Sequence, residues 1–411
     1  MTTPGSDHQD RLTFVIGRGV IDGTGTGLRD GEGVLIRAGR VVDVGTAANV
    51  APADAVRVDA GTAVIVPGFI DSHTHVTIRP GEGNQHGQVV QPPVWQTIRG
   101  VENLRRMLSS GVTTARIMTE QADIDLEYRA AIDRGEVIGP RLRVSGPGLS
   151  PPGGHGSSAG GVAGVGDLRD AVRERAGKGV DHIKIFATGG VSSEASSLDD
   201  ALYSAEEISA IVDEAAAAGL RVSAHAIAGP GVDLSVASGV YSIEHGSVLS
   251  AETAAEMARR GVWLVLTSAI AYHPAGIERG DARSATIMAK LREDRVHGRE
   301  SARIAREAGV RIAVGTDSMH GLFGYELEWL VEQGWTPGEA LTAATRSGAE
   351  VVGVDDAGTL EPGQRADLVL LRSDPLQDIR AVYDVASVYR DGVELVNAAG
   401  YARPPSGVGA G

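Results

Sequence analysis

From about residue 67 to residue 349 the chain repeats one unit, an amphipathic helical stretch followed by a short apolar run. SAEEISAIVDEAAAAG precedes LRVSAHA, SAETAAEMARRG precedes VWLVLTS, and RESARIAREAG precedes VRIAVGTD. Helices and strands alternating at this rhythm read as βα units feeding a parallel sheet. Several such units over roughly 280 residues fit an α/β fold of the TIM (β/α)8 barrel type, which takes ~250 residues. An open doubly wound sheet is the alternative, but no G-x-G-x-x-G or Walker-type loop gives it a nucleotide to bind. The 56 glycines suit a fold with many short strand-to-helix connections.

The two ends have another texture. From Leu12 to Val66 the segments FVIGRGVIDG, GVLIRAGRVVDVG and VRVDAGTAVIV place apolar runs between Asp-Gly and Ala-Gly turn signals. Gly358 to Leu395 does the same in ADLVLLRSDP and VASVYRDGVEL. The expectation is a small β-sandwich domain assembled from both termini, residues 1–66 plus 350–411, around a barrel domain of residues 67–349. The Pro/Gly-rich tail from Arg403 is expected to be flexible.

The net charge of −15 argues against nucleic acid or an anionic membrane as a partner. No apolar run approaches the ~18 residues of a membrane span, and residues 1–10 do not read as a secretory signal. The expected location is the cytoplasm. Cysteine is absent, so disulfides and thiolate ligands are excluded, and a metal would be held by His, Asp, Glu or a modified Lys.

The chemistry-bearing residues lie at strand ends. His73 and His75, in VPGFIDSHTHV, fall on one face by the period-2 rule, where two imidazoles could grip one metal ion. Two exposed loop histidines are the alternative. Lys184 sits inside the apolar run of VDHIKIFATGG, where an ammonium is costly unless paired or modified. Its stem could be buried with the charge reaching water, or it could carry a carbamate, an anion that neighbouring cations would favour. His225 ends LRVSAHA, His245 ends YSIEHG and Asp317 ends RIAVGTD. Singly, each reads better as a satisfied core histidine or, for Asp317, a helix N-cap. Together, five strand ends carry the ordered series His-x-His, Lys, His, His, Asp toward one barrel mouth, the end where such barrels hold their active sites.

With PGFIDSHTH, GPRLRVSGPGLSPPGGHG, HIKIFATGGV, SAHA, SIEHGS, GTDS and GTLEPGQRADLVLL, the chain resembles the amidohydrolase superfamily over nearly its whole length. The likeness is to its branch of imidazolonepropionase-like and metal-dependent Xaa-Pro dipeptidase or carboxypeptidase members. The resemblance implies two divalent metal ions, most often Zn2+, with Mn2+ or Co2+ also compatible with oxygen and nitrogen donors. His73, His75, Lys184 and Asp317 would hold one; Lys184, as a carbamate, His225 and His245 would hold the other. It further implies hydrolysis of an amide-type C–N bond by water made acidic between the two cations, with Asp317 as the catalytic proton shuttle. It points to a small-molecule substrate and to a homo-oligomer.

The substrate residues suggested by resemblance are His155 in PPGGHG, Tyr203, Ile227 and His320. His297 matches a family pattern but equally suits a helix, and His86 and His273 read as loop residues. Peptidase-like members often carry a tyrosine two residues after the fifth-strand histidine, where it meets a substrate carboxylate; Ile227 stands there. An Xaa-Pro or Xaa-Arg dipeptidase or carboxypeptidase therefore remains an alternative, as does an imidazolonepropionase-like cyclic amide hydrolase. A deaminase is disfavoured because HAIAGPGVD lacks the expected glutamate. A non-catalytic scaffold would be missing ligands, and none is missing.

Overall fold

The computed structural model describes residues 11–157, 160–397 and 400–401. Residues 1–10 and the tail from Arg403, both touched by the sequence reading, lie outside the described residues. Eight short strands of the middle region form two parallel sheets. One contains Phe69–Thr74, Val112–Ile117 and Arg141–Arg143; the other contains Ile183–Phe186, Val222–Ala226, Ser242–His245, Trp263–Leu266 and Arg311–Val314. Every strand pairs with its neighbour in chain order and every pairing is parallel. A helix crosses between most of them, as parallel pairing requires.

Local sequence sets the helix ends. Ser204 and Glu207 form a reciprocal capping box at the start of Ala205–Ala217, and Thr336 and Glu339 do so for Pro337–Ala344. Gly261 closes Ala251–Arg260 in the left-handed conformation, at φ +70°. The helices turn apolar faces onto strands that are almost wholly buried, so the strands read as continuous apolar runs rather than alternating ones.

Segments that follow the strands link the two parallel sheets by hydrogen bonds. Leu149 N–H donates to Lys184 O at 2.8 Å, and Phe186 N–H donates to Leu149 O at 2.9 Å. On the other side Asp317 N–H donates to His73 O at 2.8 Å, and the Asp71 carboxylate accepts from Thr316 N and Oγ1 at 3.0 and 2.6 Å. Gly315 makes this approach feasible: a Cβ there would lie 2.4 Å from His73 N.

The chain ends build two further sheets. Four strands, all N-terminal, are ordered Arg40–Thr46, Glu32–Arg37, Thr13–Ile16, Val56–Asp59. The other sheet has seven strands and joins both ends of the chain, because Val64–Pro67 pairs antiparallel with Leu368–Leu371. Val15, Val34 and Ile36 from the first sheet share one apolar cluster with Ile65, Leu368 and Tyr389 from the second. Among the described residues no helix is long and apolar enough to cross a membrane.

Candidate active site

The residues singled out at the strand ends converge. His73, His75, Lys184, His225, His245 and Asp317 all line one cavity of about 700 Å³. The His73 and His245 ring centroids are 4.7 Å apart, as are those of His225 and His245. Asp317 Oδ1 lies 3.2 Å from His75 Nε2 and 3.5 Å from His73 Nε2. One donor atom each from His73, His245 and Asp317 falls within 4.8 Å of the others. Asp317 and His245 sit at φ +45° and +70°, conformations that cost non-glycine residues on the order of 1–3 kcal/mol and that cluster at functional sites.

Each imidazole is held by one nitrogen. His73 Nδ1 meets Glu244 Oε2 at 2.7 Å, His75 Nδ1 meets Thr119 O at 3.1 Å, and His245 Nδ1 meets Thr267 Oγ1 at 2.7 Å. His225 uses the opposite atom, Nε2, on Gly189 O at 3.0 Å. A carbonyl or carboxylate partner requires an N–H, so these contacts place a proton on Nδ1 of His73 and His75 and on Nε2 of His225; the opposite nitrogens, with Asp317 close to those of His73 and His75, are the atoms that would face a metal. His73 Nε2 is buried with no well-formed hydrogen bond. These donors fit a divalent metal by their chemistry: imidazole nitrogens and a carboxylate, one of them otherwise unsatisfied.

Behind His73 lies a buried charge network. Arg116 Nη2 donates to both Glu244 oxygens at 2.9 and 3.1 Å, and Arg116 Nε donates to Ser72 O at 2.6 Å. Burial opposes the Glu244 charge, but Arg116 and His73 hold its carboxyl far below the usual carboxylate range. Asp317 is likewise held well below its usual value by His73 and His75, against the effect of burial. Burial dominates elsewhere, pushing His225 and His245 well down and Lys184 to about 8. The Lys184 ammonium lies 5.2 Å from the Phe186 ring centre, and no carboxylate among the described residues is within ion-pair range of it. Burial thus gives Lys184 a larger share of the free amine, the form that reacts with CO₂, than an exposed lysine has.

The four substrate candidates divide. His155 and Ile227 line the cavity. His155 stacks near His225 at 4.6 Å, and burial lowers its pKa to about 4. Gly190 leaves room for it, since a Cβ there would lie 2.3 Å from His155 Nε2. Tyr203 and His320 are not among the lining residues. The Tyr203 hydroxyl donates to Val162 O at 2.8 Å and its ring joins the main apolar core, so its polar atom is spent on the backbone. His320 is held by burial at a pKa of about 3. Sequence reasoning missed His86, which lines the cavity, and Asp294, a carboxylate in the same wall. It also missed Arg116 and Glu244; the only local signal was Glu244 immediately preceding His245.

Residues 64–395 match the amidohydrolase family model. The chain is 30% identical to the ochratoxinase of Aspergillus niger over 93% of its own length and 86% of that protein. It is 26% identical to an imidazolonepropionase of Salinispora arenicola, covering 90% and 91% of the two chains. Among solved structures it is similar to a prolidase complexed with N-methylphosphonate-L-proline, with a TM-score of 0.86, 34% identity, and 93% and 99% of the chains covered. These neighbours imply a TIM-barrel-type α/β fold, consistent with the parallel sheets. The chain therefore belongs to the amidohydrolase family, as a hydrolase of amide-type carbon–nitrogen bonds in small molecules, a family that generally depends on a divalent metal.

Proposed function

We propose that this chain hydrolyses an uncharged amide-type bond, such as an N-acyl, anilide or carbamoyl linkage, at a site for two divalent metals. His73, His75, Asp317 and a carbamate on Lys184 would hold one, and the same carbamate with His225 and His245 the other; zinc suits these donors, as do manganese and cobalt. In this reading the two parallel sheets are arcs of one closed (β/α)8 barrel spanning residues 67–349. The described residues of the segments 1–66 and 350–411 form a β-sandwich beside it.

The observation that carries the reading is the set of four imidazoles, each tethered at one nitrogen, gathered with Asp317 and Lys184 on one cavity. Bound there, divalent cations supply electrophilic stabilisation for a carbonyl and acidify water. The protein's own groups do the rest. Asp317 takes the proton that water gives up on attack and returns it to the leaving nitrogen. Glu244, anchored by Arg116, fixes the ring and tautomer of His73. Ile227 packs against an aryl or alkyl group of the substrate, gaining ~25 cal/mol per Å² of apolar surface buried.

A dipeptide is the rival substrate, favoured by the likeness to the prolidase. Its free carboxylate would call for an arginine, lysine or tyrosine hydroxyl. Among the described residues that line the cavity there is no arginine, the one lysine is Lys184, and the one tyrosine, Tyr272, donates its hydroxyl to Arg295 O at 3.2 Å. Arg79, in the loop after the first parallel strand, donates from Nε to Asn103 instead. Comparing kcat/KM for Xaa-Pro and Xaa-Arg dipeptides with N-acyl and aryl amides, on metal-loaded enzyme, tests the choice. Amides should win; a dipeptide advantage of about tenfold or more, worth ~1.4 kcal/mol, overturns it.

A further inference from the structure

The mechanism above leaves one buried carboxylate of the cavity wall without a task. Asp294 lies in the helix Ala285–Glu307, is 4% exposed, and lines the same cavity as the histidines. Its side-chain hydrogen bond goes to Ser247, a neutral hydroxyl. Among the described residues no ion pair reaches it: the adjacent Arg295 donates instead to Ala271 O and Glu278, at 2.6 and 2.7 Å. A buried carboxylate without an ion-pair partner is costly; Arg295 and His297 favour its charge from a distance, but burial outweighs them and lifts its pKa to about 6. Such a group is retained where something else supplies the positive partner.

The surroundings indicate what that partner is. Gly298, one helical turn beyond Asp294, also lines the cavity, and a Cβ there would lie 2.6 Å from Tyr272 Oη and 3.9 Å from Ser247 Cβ. Asp294, Ser247 and Tyr272 are thus drawn to one stretch of wall. Tyr272 packs on Trp329 with centroids 5.2 Å apart, both line the cavity, and the Arg299 guanidinium already lies over the Tyr272 ring, 5.4 Å from its centre. A carboxylate beside aromatic rings is the chemistry that receives an organic ammonium, by a charged hydrogen bond and by attraction to the ring faces. The rest of the wall agrees in sign: Glu194 and Asp281 also line the cavity, and no cationic lining residue stands among them apart from Lys184.

We propose that Asp294, with Ser247, Tyr272 and Trp329, forms a subsite for a protonated amine carried by the substrate away from its scissile carbonyl. This rests on the amide-hydrolase reading and names a feature of its substrate: an amide bearing an ammonium group and no free carboxylate. Two 4-nitroanilides of matched length test it on the metal-loaded enzyme, 6-aminohexanoyl-4-nitroanilide and heptanoyl-4-nitroanilide, which differ by an ammonium in place of a methyl. The wild type should favour the amine by about tenfold or more in kcat/KM, the scale of one charge-assisted hydrogen bond. Asp294→Asn, which keeps an oxygen for Ser247, should bring the ratio close to one with metal content unchanged. No preference in the wild type, or a preference that survives in Asp294→Asn, overturns the subsite. Calorimetric binding of hexylamine and hexanol to the same proteins separates the two claims. Amine binding that weakens about tenfold in Asp294→Asn supports the subsite even where neither anilide is cleaved, a result that would count against the hydrolase reading alone. Equal binding by both proteins overturns it.

Discussion

Replacing Glu244 by Gln tests how the protein holds its first histidine. In the native arrangement Glu244 and Arg116 are 0% and 2% exposed, and the carboxylate serves both the guanidinium and His73 Nδ1. Gln is nearly isosteric but neutral. Arg116 then keeps its charge in a buried site with no counter-ion, which costs ~3–5 kcal/mol when one partner of a buried pair is removed. His73 loses an anionic acceptor for its Nδ1–H, so its Nε2 becomes a poorer donor, and such partners are worth ~10–100-fold in metal affinity. Urea unfolding of the metal-stripped protein reads the first effect, and zinc competition against a chelator reads the second. The double variant Arg116→Met with Glu244→Gln separates them: it should recover most of the stability, because no charge is stranded, while zinc affinity stays low. If Glu244→Gln unfolds and binds zinc like the wild type, neither the buried pair nor the orienting role survives.

Three further outcomes follow from the same geometry. Lys184→Ala should lose bound metal and turnover together, since removing an anionic bridge leaves two cations repelling across the site; retention of both metals, by elemental analysis, would count against the bridge. Asp317→Asn should fold and keep an oxygen donor yet lose ~10²–10⁴ in kcat, the usual share of a general acid–base group, and near-native kcat in a fully metallated variant would remove it from proton transfer. Asp125 is buried with its pKa raised by burial from 3.8 to about 7, accepting from Ser145 N and Gly146 N at 3.1 and 2.8 Å. The folded state therefore binds this proton more tightly than the unfolded chain, and the contribution of Asp125 to stability falls as pH rises from about 4 to about 7, by at most ~1.4 kcal/mol per unit. Asp125→Asn has no such proton, so its melting point relative to wild type should climb across that window and level off above it; a pH-independent difference would contradict this.

The legible part of the site was the part that strands write into sequence. His73 and His75 fall two apart at the end of an apolar run, and His225, His245 and Asp317 each close such a run, so strand periodicity and chain order alone bring them toward one cavity. The sheets at the two ends were legible for a similar reason, through Asp-Gly turns between short apolar runs. What escaped depends on packing between distant segments. Arg116 meets Glu244 across 128 residues, and nothing near Arg116 in the chain signals a buried cation. Asp294 looks like any acidic residue on a charged helix; only the seating of that helix against Ser247 and Tyr272 turns it into the cavity wall. Tyr203, suggested by resemblance alone, has its hydroxyl on the Val162 carbonyl, a backbone partner that the sequence does not announce.

The most direct test of the account is the metal content of purified enzyme grown with ample zinc, measured by elemental analysis alongside amide hydrolysis before and after chelation. Close to two divalent metals per chain are expected, with turnover that falls with their removal and returns with their restoration. One metal per chain or fewer, or hydrolysis indifferent to chelation that has emptied the site, would contradict it.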